Sequence, residues 1–396
     1  MSSRYLNPAW TGLVEQDPER DASTRVPQLA LAALLPFVGL GVHNLPVEEL
    51  TAIGLILIAS VTRAPRRVGL VMQLVVPMTM VPVWLAISSQ LNGIHEDVRR
   101  LGHLAIWVLL AYAIASGRLH RPSLAKGMAF GLIGAVALSL VHSGGYSGRL
   151  SGAVGDPNSA GLVAATFGCI VLGTLWSARR GVRALLVIGL IAVVLGTLSR
   201  TSIAALIVAL TWVFVGRRQR LGLRAAVGIG VIYALTKVPE SILQSGIFAG
   251  REGSDALRQR IEAQETLAVA AHPMYGNGAG TATVNVQGQP FYFHSSYLGL
   301  RAEGGWIALG FYGLVVAVVF LMLVRLPFGQ HNAWFEASII VVLICAAYLG
   351  EVLLTETAAV AFGFAAAYAF DVRERADAPD PPLPAASRRG STSSMA

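Results

Sequence analysis

From Gln28 to Phe370 the chain alternates between long apolar runs and short polar breaks. A membrane-crossing helix needs roughly 20 mostly apolar residues, and runs approaching that length recur throughout. The pattern predicts twelve helical spans, at about 28–42, 47–62, 68–90, 98–116, 123–142, 158–177, 184–198, 201–215, 223–239, 298–324, 333–350 and 352–370. Several are short, which implies tilt or partial insertion. One long interruption, 240–297, separates the ninth run from the tenth. Residues 1–27 are polar and mixed in charge, with no A-x-A-like site after a short apolar core, so the first run reads as an uncleaved span. Residues 371–396 are rich in Pro, Ser and Ala and read as a disordered tail. The expected fold is an all-α polytopic membrane protein, with about 12 transmembrane helices over 28–370 and one long extracytoplasmic loop.

Composition supports the same class. Only 13% of the residues are charged, against about 25% in soluble domains. The net charge of +8 would suit nucleic acid, but its distribution points elsewhere. With both termini placed in the cytoplasm, 21 of the 30 Lys and Arg fall on the cytoplasmic side, many in the short loops TRAPRR, ARRGVR and GRRQRLGLR. That bias follows the positive-inside rule, so the basic excess is a topology signal and no nucleic-acid partner is expected. The two cysteines, Cys169 and Cys345, lie in apolar runs, which argues against a disulfide framework or a cysteine metal site.

Nine cations remain on the outer side, among them Arg149, Arg200, Arg258, Arg260 and Arg301. An anionic ligand or nearby carboxylates would account for them. In LGTLSRTSIAAL, residues 195–206, a single helix over 184–215 would be about 48 Å long, more than the ~30 Å hydrocarbon core. A turn at Ser199–Arg200–Thr201 resolves this and leaves Arg200 near membrane depth, where an ionisable group is a functional hypothesis by default. SDALRQRIEAQETLAVAAHP, 254–273, reads as a helix capped by Ser254 and ended by Pro273. At 100° per residue Leu257, Ile261, Gln264, Leu267, Ala268 and Ala271 form one stripe. Arg260 falls within it, directed inward, while Arg258, Glu262 and Glu265 fall outside. Next, HPMYGNGAG offers Gly276, Gly278 and Gly280 for close backbone approach or an anion-binding nest.

Two further stretches carry polar chemistry. GGYSGRLSGAVGDPNSAG, 144–161, holds Arg149 and Asp156, with Asn158 as an expected helix cap. FYFHSSYLGLRAEGG, 291–305, places His294 among aromatics at a membrane threshold. If it is helical from 294 onward, His294, Tyr297, Leu298 and Arg301 share one face and Glu303 points the opposite way. Histidine exchanges protons near neutral pH, whereas arginine stays charged and grips phosphate bidentately. Spacings such as H-E-x-x-H or Asp-x-Asp are absent. The set therefore suggests a metal-free, cofactor-free site for a phosphorylated substrate.

The twelve runs, the long outer loop and four patterns in order (GRLSGAVGDPNSAG, LSRTS, LRQRIEAQETLAVAAHPMYGNGAG and HSSYLGLRAEGG) resemble the O-antigen ligase/polymerase (Wzy/WaaL-type) superfamily over roughly residues 30–370. The resemblance implies a C-type glycosyltransferase in the bacterial cytoplasmic (inner) membrane, active site outward and independent of metal. It would move glycan from a polyprenyl-pyrophosphate donor to a glycan or glycolipid acceptor, with membrane lipid around it. It implies Arg200, Arg260 and His294 as catalytic positions. Arg149, Asn158, Gly276, Gly278, Tyr297, Arg301 and Glu303 are the accompanying candidates for substrate binding. The alternative is a transporter or flippase for a lipid-linked or anionic solute, although the matching broken-helix repeats common in transporters are not evident.

Overall fold

The computed structural model describes residues 24–42, 45–66, 68–94, 98–141, 148–151, 155–175, 179–214, 221–236, 252–271, 274–327 and 330–376. In chain order the helices are α1 (Val26–Ala32), α2 (Val47–Val61), α3 (Val68–Leu91), α4 (Val98–Ala115), α5 (Arg121–Val141), α6 (Pro157–Thr174), α7 (Arg180–Gly196), α8 (Arg200–Phe214), α9 (Leu221–Thr236), α10 (Glu252–Ala271), α11 (Ser296–Val324), α12 (Ala333–Cys345) and α13 (Glu356–Ala376). Two small antiparallel hairpins, β1–β2 (Gly41–Val42 with Leu45–Pro46) and β3–β4 (Thr283–Val286 with Gln289–Tyr292), complete the described residues. Each of the twelve apolar runs overlaps a helix. Five of these, α3, α4, α5, α6 and α11, are long and apolar enough to cross a membrane. The tails at 1–23 and 377–396, with Lys237, Arg251 and Pro273, lie outside the described residues.

One main apolar core runs through the helices. Within it α13 packs along α4, α11 along α3, and α12 against both α6 and α8. Where α5 meets the α1 segment, glycine makes the close approach possible. A Cβ at Gly127 or Gly131 of α5 would lie 2.3 or 2.2 Å from a carbonyl oxygen of the α1 segment. Small residues four apart serve this purpose in membranes, where backbones must approach to gain dispersion contact.

The predicted break between the seventh and eighth runs is present, slightly earlier than expected. α7 ends at Gly196, Leu198 turns with φ +50°, and Arg200 begins α8. The start of α6 is capped by Asp156, not by the expected Asn158. Its carboxylate accepts the amides of Asn158 (3.2 Å) and Ser159 (2.9 Å), with Pro157 in the first turn. Asp as N-cap followed by Pro at N1 is a favoured order, because proline lacks the donor that would go unpaired there.

α11 is kinked at Gly305, which has φ +65°. The kink frees carbonyls that nothing in a bilayer could satisfy. Neighbours take them up. Asn277 N–H bonds Ala302 O (2.7 Å), Gly278 N–H bonds Glu303 O (2.9 Å) and the Trp84 indole bonds Gly304 O (2.7 Å). The Ser88 hydroxyl lies between Glu303 O (2.8 Å) and Tyr275 O (2.6 Å). The glycine-rich segment 274–280 is thus a dock for the kink.

Polar groups gather at the two ends of the bundle. At one end Arg66, buried, pairs with Asp371, which also pairs with Arg121. The other end holds a cavity.

Candidate functional site

The small apolar cluster that builds this second end is separate from the main core. Ile261 and Val269 of α10, Val284 and Val286 of β3, Phe293 and Ala302 form it. It fixes the rotation of α10. The buried positions are Ile261, Glu265 and Val269, with Arg258 half-buried, while Gln264, Leu267 and Arg260 are exposed. The expected stripe is therefore rotated by about one residue. Arg258, not Arg260, turns toward the protein, because the hairpin supplies the apolar partner surface.

Beneath this cluster lies a cavity of about 890 Å³. Its wall draws on the starts of α2, α4, α6, α11 and α13, on Arg258, and on the α12–α13 connection. Three arginines (Arg99, Arg100, Arg258), two histidines (His103, His294) and six carboxylates (Glu48, Glu49, Asp156, Glu303, Glu351, Glu356) face it. Helix N-termini carry partial positive charge and favour acids in the first turn, which accounts for Glu48, Glu49, Asp156 and Glu356. Among the described residues Glu49, His103 and Glu356 bring their ligand atoms within 4.8 Å of one another.

His294 is on this wall, but not on a helix. α11 begins at Ser296, with Ser295 as N-cap. The shared helical face expected for His294, Tyr297 and Arg301 does not form. The backbone of His294 is held at both ends: its N–H donates to Glu265 Oε1 (2.5 Å) and its carbonyl accepts Gly350 N–H (2.6 Å). Its ring Nδ1 lies 3.4 Å from Tyr292 O. A proton on Nδ1 leaves Nε2 as the acceptor. Burial lowers the His294 pKa below the usual imidazole range, and the nearby Arg258 charge adds to that, while the Tyr292 carbonyl and Glu262 oppose it. Burial raises the Glu265 carboxyl, partly offset by the His294 and Ser295 amides it accepts.

Glu303 also lines the cavity, although a continuous helix would have pointed it away from His294. Buried, it pairs with Arg100 (3.1 Å) and accepts Gly280 N–H (3.1 Å), while Arg100 also pairs with Glu351. Asn158 is on the wall as well.

The other candidates lie apart. Arg149 Nε donates to Thr197 O (3.0 Å), so Arg149 meets the α7–α8 turn that precedes Arg200. That turn abuts the start of α6, where Ser202 Oγ approaches Asn158 O (3.4 Å). Arg149 and Arg200 thus flank the cavity without lining it. No anion nest forms at Gly276 and Gly278, because the amides of 277–280 are taken by Ala302 O, Glu303 O, Ser89 Oγ and Glu303 Oε1. Tyr297 donates its hydroxyl to Leu343 O (2.8 Å), and Arg301 stacks on Trp306 at 4.2 Å. Arg258, Glu265, Arg100 and the Glu49–His103–Glu356 group were missing from the sequence-derived site. For Arg258 and Glu265 a signal existed: Arg258, Ile261, Glu265 and Val269 repeat at helical spacing.

Comparison with protein-family models, curated proteins and solved structures returns no match.

Proposed function

We propose that this chain is a glycosyltransferase of the O-antigen ligase/polymerase type. In this reading all twelve apolar segments cross or enter the bacterial cytoplasmic membrane, and the cavity opens on its outer side. The observation that carries the proposal is His294, its backbone fixed by Glu265 and Gly350 and its ring on the wall of a large cavity beside Arg258. A neutral imidazole next to a fixed cation suits proton removal from a hydroxyl near an anionic group.

The reaction follows from those residues. The acceptor hydroxyl attacks the anomeric carbon, and its proton passes to His294 Nε2. The bond from that carbon to the carrier's phosphate oxygen breaks, and the polyprenyl pyrophosphate leaves with the electron pair. Arg258 offsets the charge that grows there. Arg149 and Arg200 stand at the cavity's flank, where they could hold the lipid-linked end of the donor. Attack opposite the leaving group inverts the anomeric centre.

The test is turnover of purified protein on a polyprenyl-pyrophosphate glycan. His294→Ala should reduce glycosidic bond formation about 10²–10⁴-fold, and Arg258→Ala should also reduce it. Wild-type rates in both variants would reject the site. Movement of the substrate across vesicles with no new bond would reject the activity in favour of transport.

A further inference from the structure

We propose that Glu49, His103 and Glu356 bind a divalent cation of the zinc or manganese class on the cavity wall. The three residues come from α2, α4 and α13, so no short spacing in the sequence reveals them. Glu49 Oε1 lies 2.7 Å from His103 Nδ1, and Glu356 Oε1 lies 3.5 Å from the same nitrogen. On the far side of the ring, Nε2 is 3.1 Å from Leu354 O. A carbonyl oxygen can only accept, so Nε2 carries the hydrogen. In the neutral ring Nδ1 then presents a lone pair to two carboxylates. Lone pair against carboxylate is repulsive unless a positive charge sits among them. Metal-bound histidines commonly have this arrangement, with the second ring N–H anchored to a carbonyl.

A second observation is independent of the clustering. Glu356 is only 4% exposed, and its Oε1 is buried without a hydrogen bond among the described residues. That same oxygen faces His103. A buried carboxylate oxygen that has only a ring nitrogen at 3.5 Å and no hydrogen bond leaves its burial poorly offset, and a bound cation would supply the missing partner. Glu48 Oε2, on the same wall, is also buried without a hydrogen bond among the described residues. Composition argues in the same direction: six carboxyl groups face three arginines on this wall, so oxygen donors outnumber the cations beside them.

The donor set narrows the ion. One imidazole and two carboxylates suit zinc, manganese or ferrous iron better than magnesium or calcium, which favour all-oxygen shells. Three protein ligands leave a coordination position open to the cavity. This site differs from the metal-free chemistry expected from the sequence, and it stands whether or not the cavity transfers glycan, since binding is read without turnover.

The experiment uses the full chain in detergent, stripped with chelator and then equilibrated with Zn²⁺ or Mn²⁺ alone. Metal per protein is measured by mass spectrometry and affinity by calorimetry. One ion per chain is expected, weakened at least about tenfold in Glu356→Gln and in His103→Gln. The ion should also raise the Tm of the wild type and not of Glu356→Gln, whose near-isosteric side chain keeps the fold testable. Absence of binding in the wild type would overturn the proposal, because the cluster would then be an imidazolium held between two carboxylates. Stoichiometric binding that survives both substitutions would overturn it equally.

Discussion

The backbone of His294 is held from both sides, by Glu265 and by Gly350. Glu265 accepts its amide, and removal of the partner of a buried donor costs about 1–3 kcal/mol. Glu265→Ala should therefore lower Tm and reduce kcat more than it changes KM for the donor. Glu265→Gln, which keeps an acceptor oxygen, should recover much of both. Arg258 acts through charge. Because burial and then Arg258 depress the His294 pKa, the neutral ring persists to lower pH than an ordinary imidazole. Activity should stay level as pH falls from 8 and drop only below the usual imidazole range. In Arg258→Gln the imidazolium loses a repelling neighbour, its pKa rises, and the acid limb of the kcat/KM profile should move to higher pH; an unmoved limb would separate Arg258 from His294. At this scale the sequence exposed the residue types but not their facing. The period of α10 was legible. Its phase was not, because Val284, Val286 and Phe293 are distant along the chain and decide which side is buried.

Among the elements, the break between α7 and α8 was legible because one helix over 184–215 would exceed the bilayer. The kink in α11 was not, since α11 reads as one uninterrupted apolar run after Glu303. Its cause is the docking of residues 274–280 against Gly305, where a Cβ would lie 2.1 Å from Met274 O. Gly305→Ala should cost at least about 1–3 kcal/mol from the positive φ alone, before the steric clash is counted. Gly310, five residues on, has open space around its Cβ position, and alanine there should be neutral or slightly stabilising. Thermal unfolding of the two variants in detergent makes the comparison. Equal Tm values would mean that the kink does not constrain the helix.

For the molecule as a whole, the two polar ends can be told apart chemically. Cys169 and Cys345 are the only cysteines, and both are buried. Single cysteines at exposed positions therefore report sidedness. In intact spheroplasts a membrane-impermeant maleimide should label Tyr292→Cys and spare Arg63→Cys until the membrane is opened. The reverse pattern would invert the proposed orientation. The helical, membrane-type character of the chain was readable along it, because lipid imposes a length rule on each apolar segment separately, and five of the helices meet that rule. The cavity was not readable, because its wall is assembled from helix ends far apart in sequence. That dispersal has a consequence for biosynthesis. The wall runs from Val38 to Thr357, and a ribosome adding ~5–20 residues per second needs about 15–65 s to make that stretch. Ser88 emerges long before Tyr275, and His294 before Gly350, so each waits for its partner inside a partly inserted chain. The cavity is therefore among the last parts to form. A chain stopped before α13 would keep most of its apolar helices and lack the Glu356 side of the chamber.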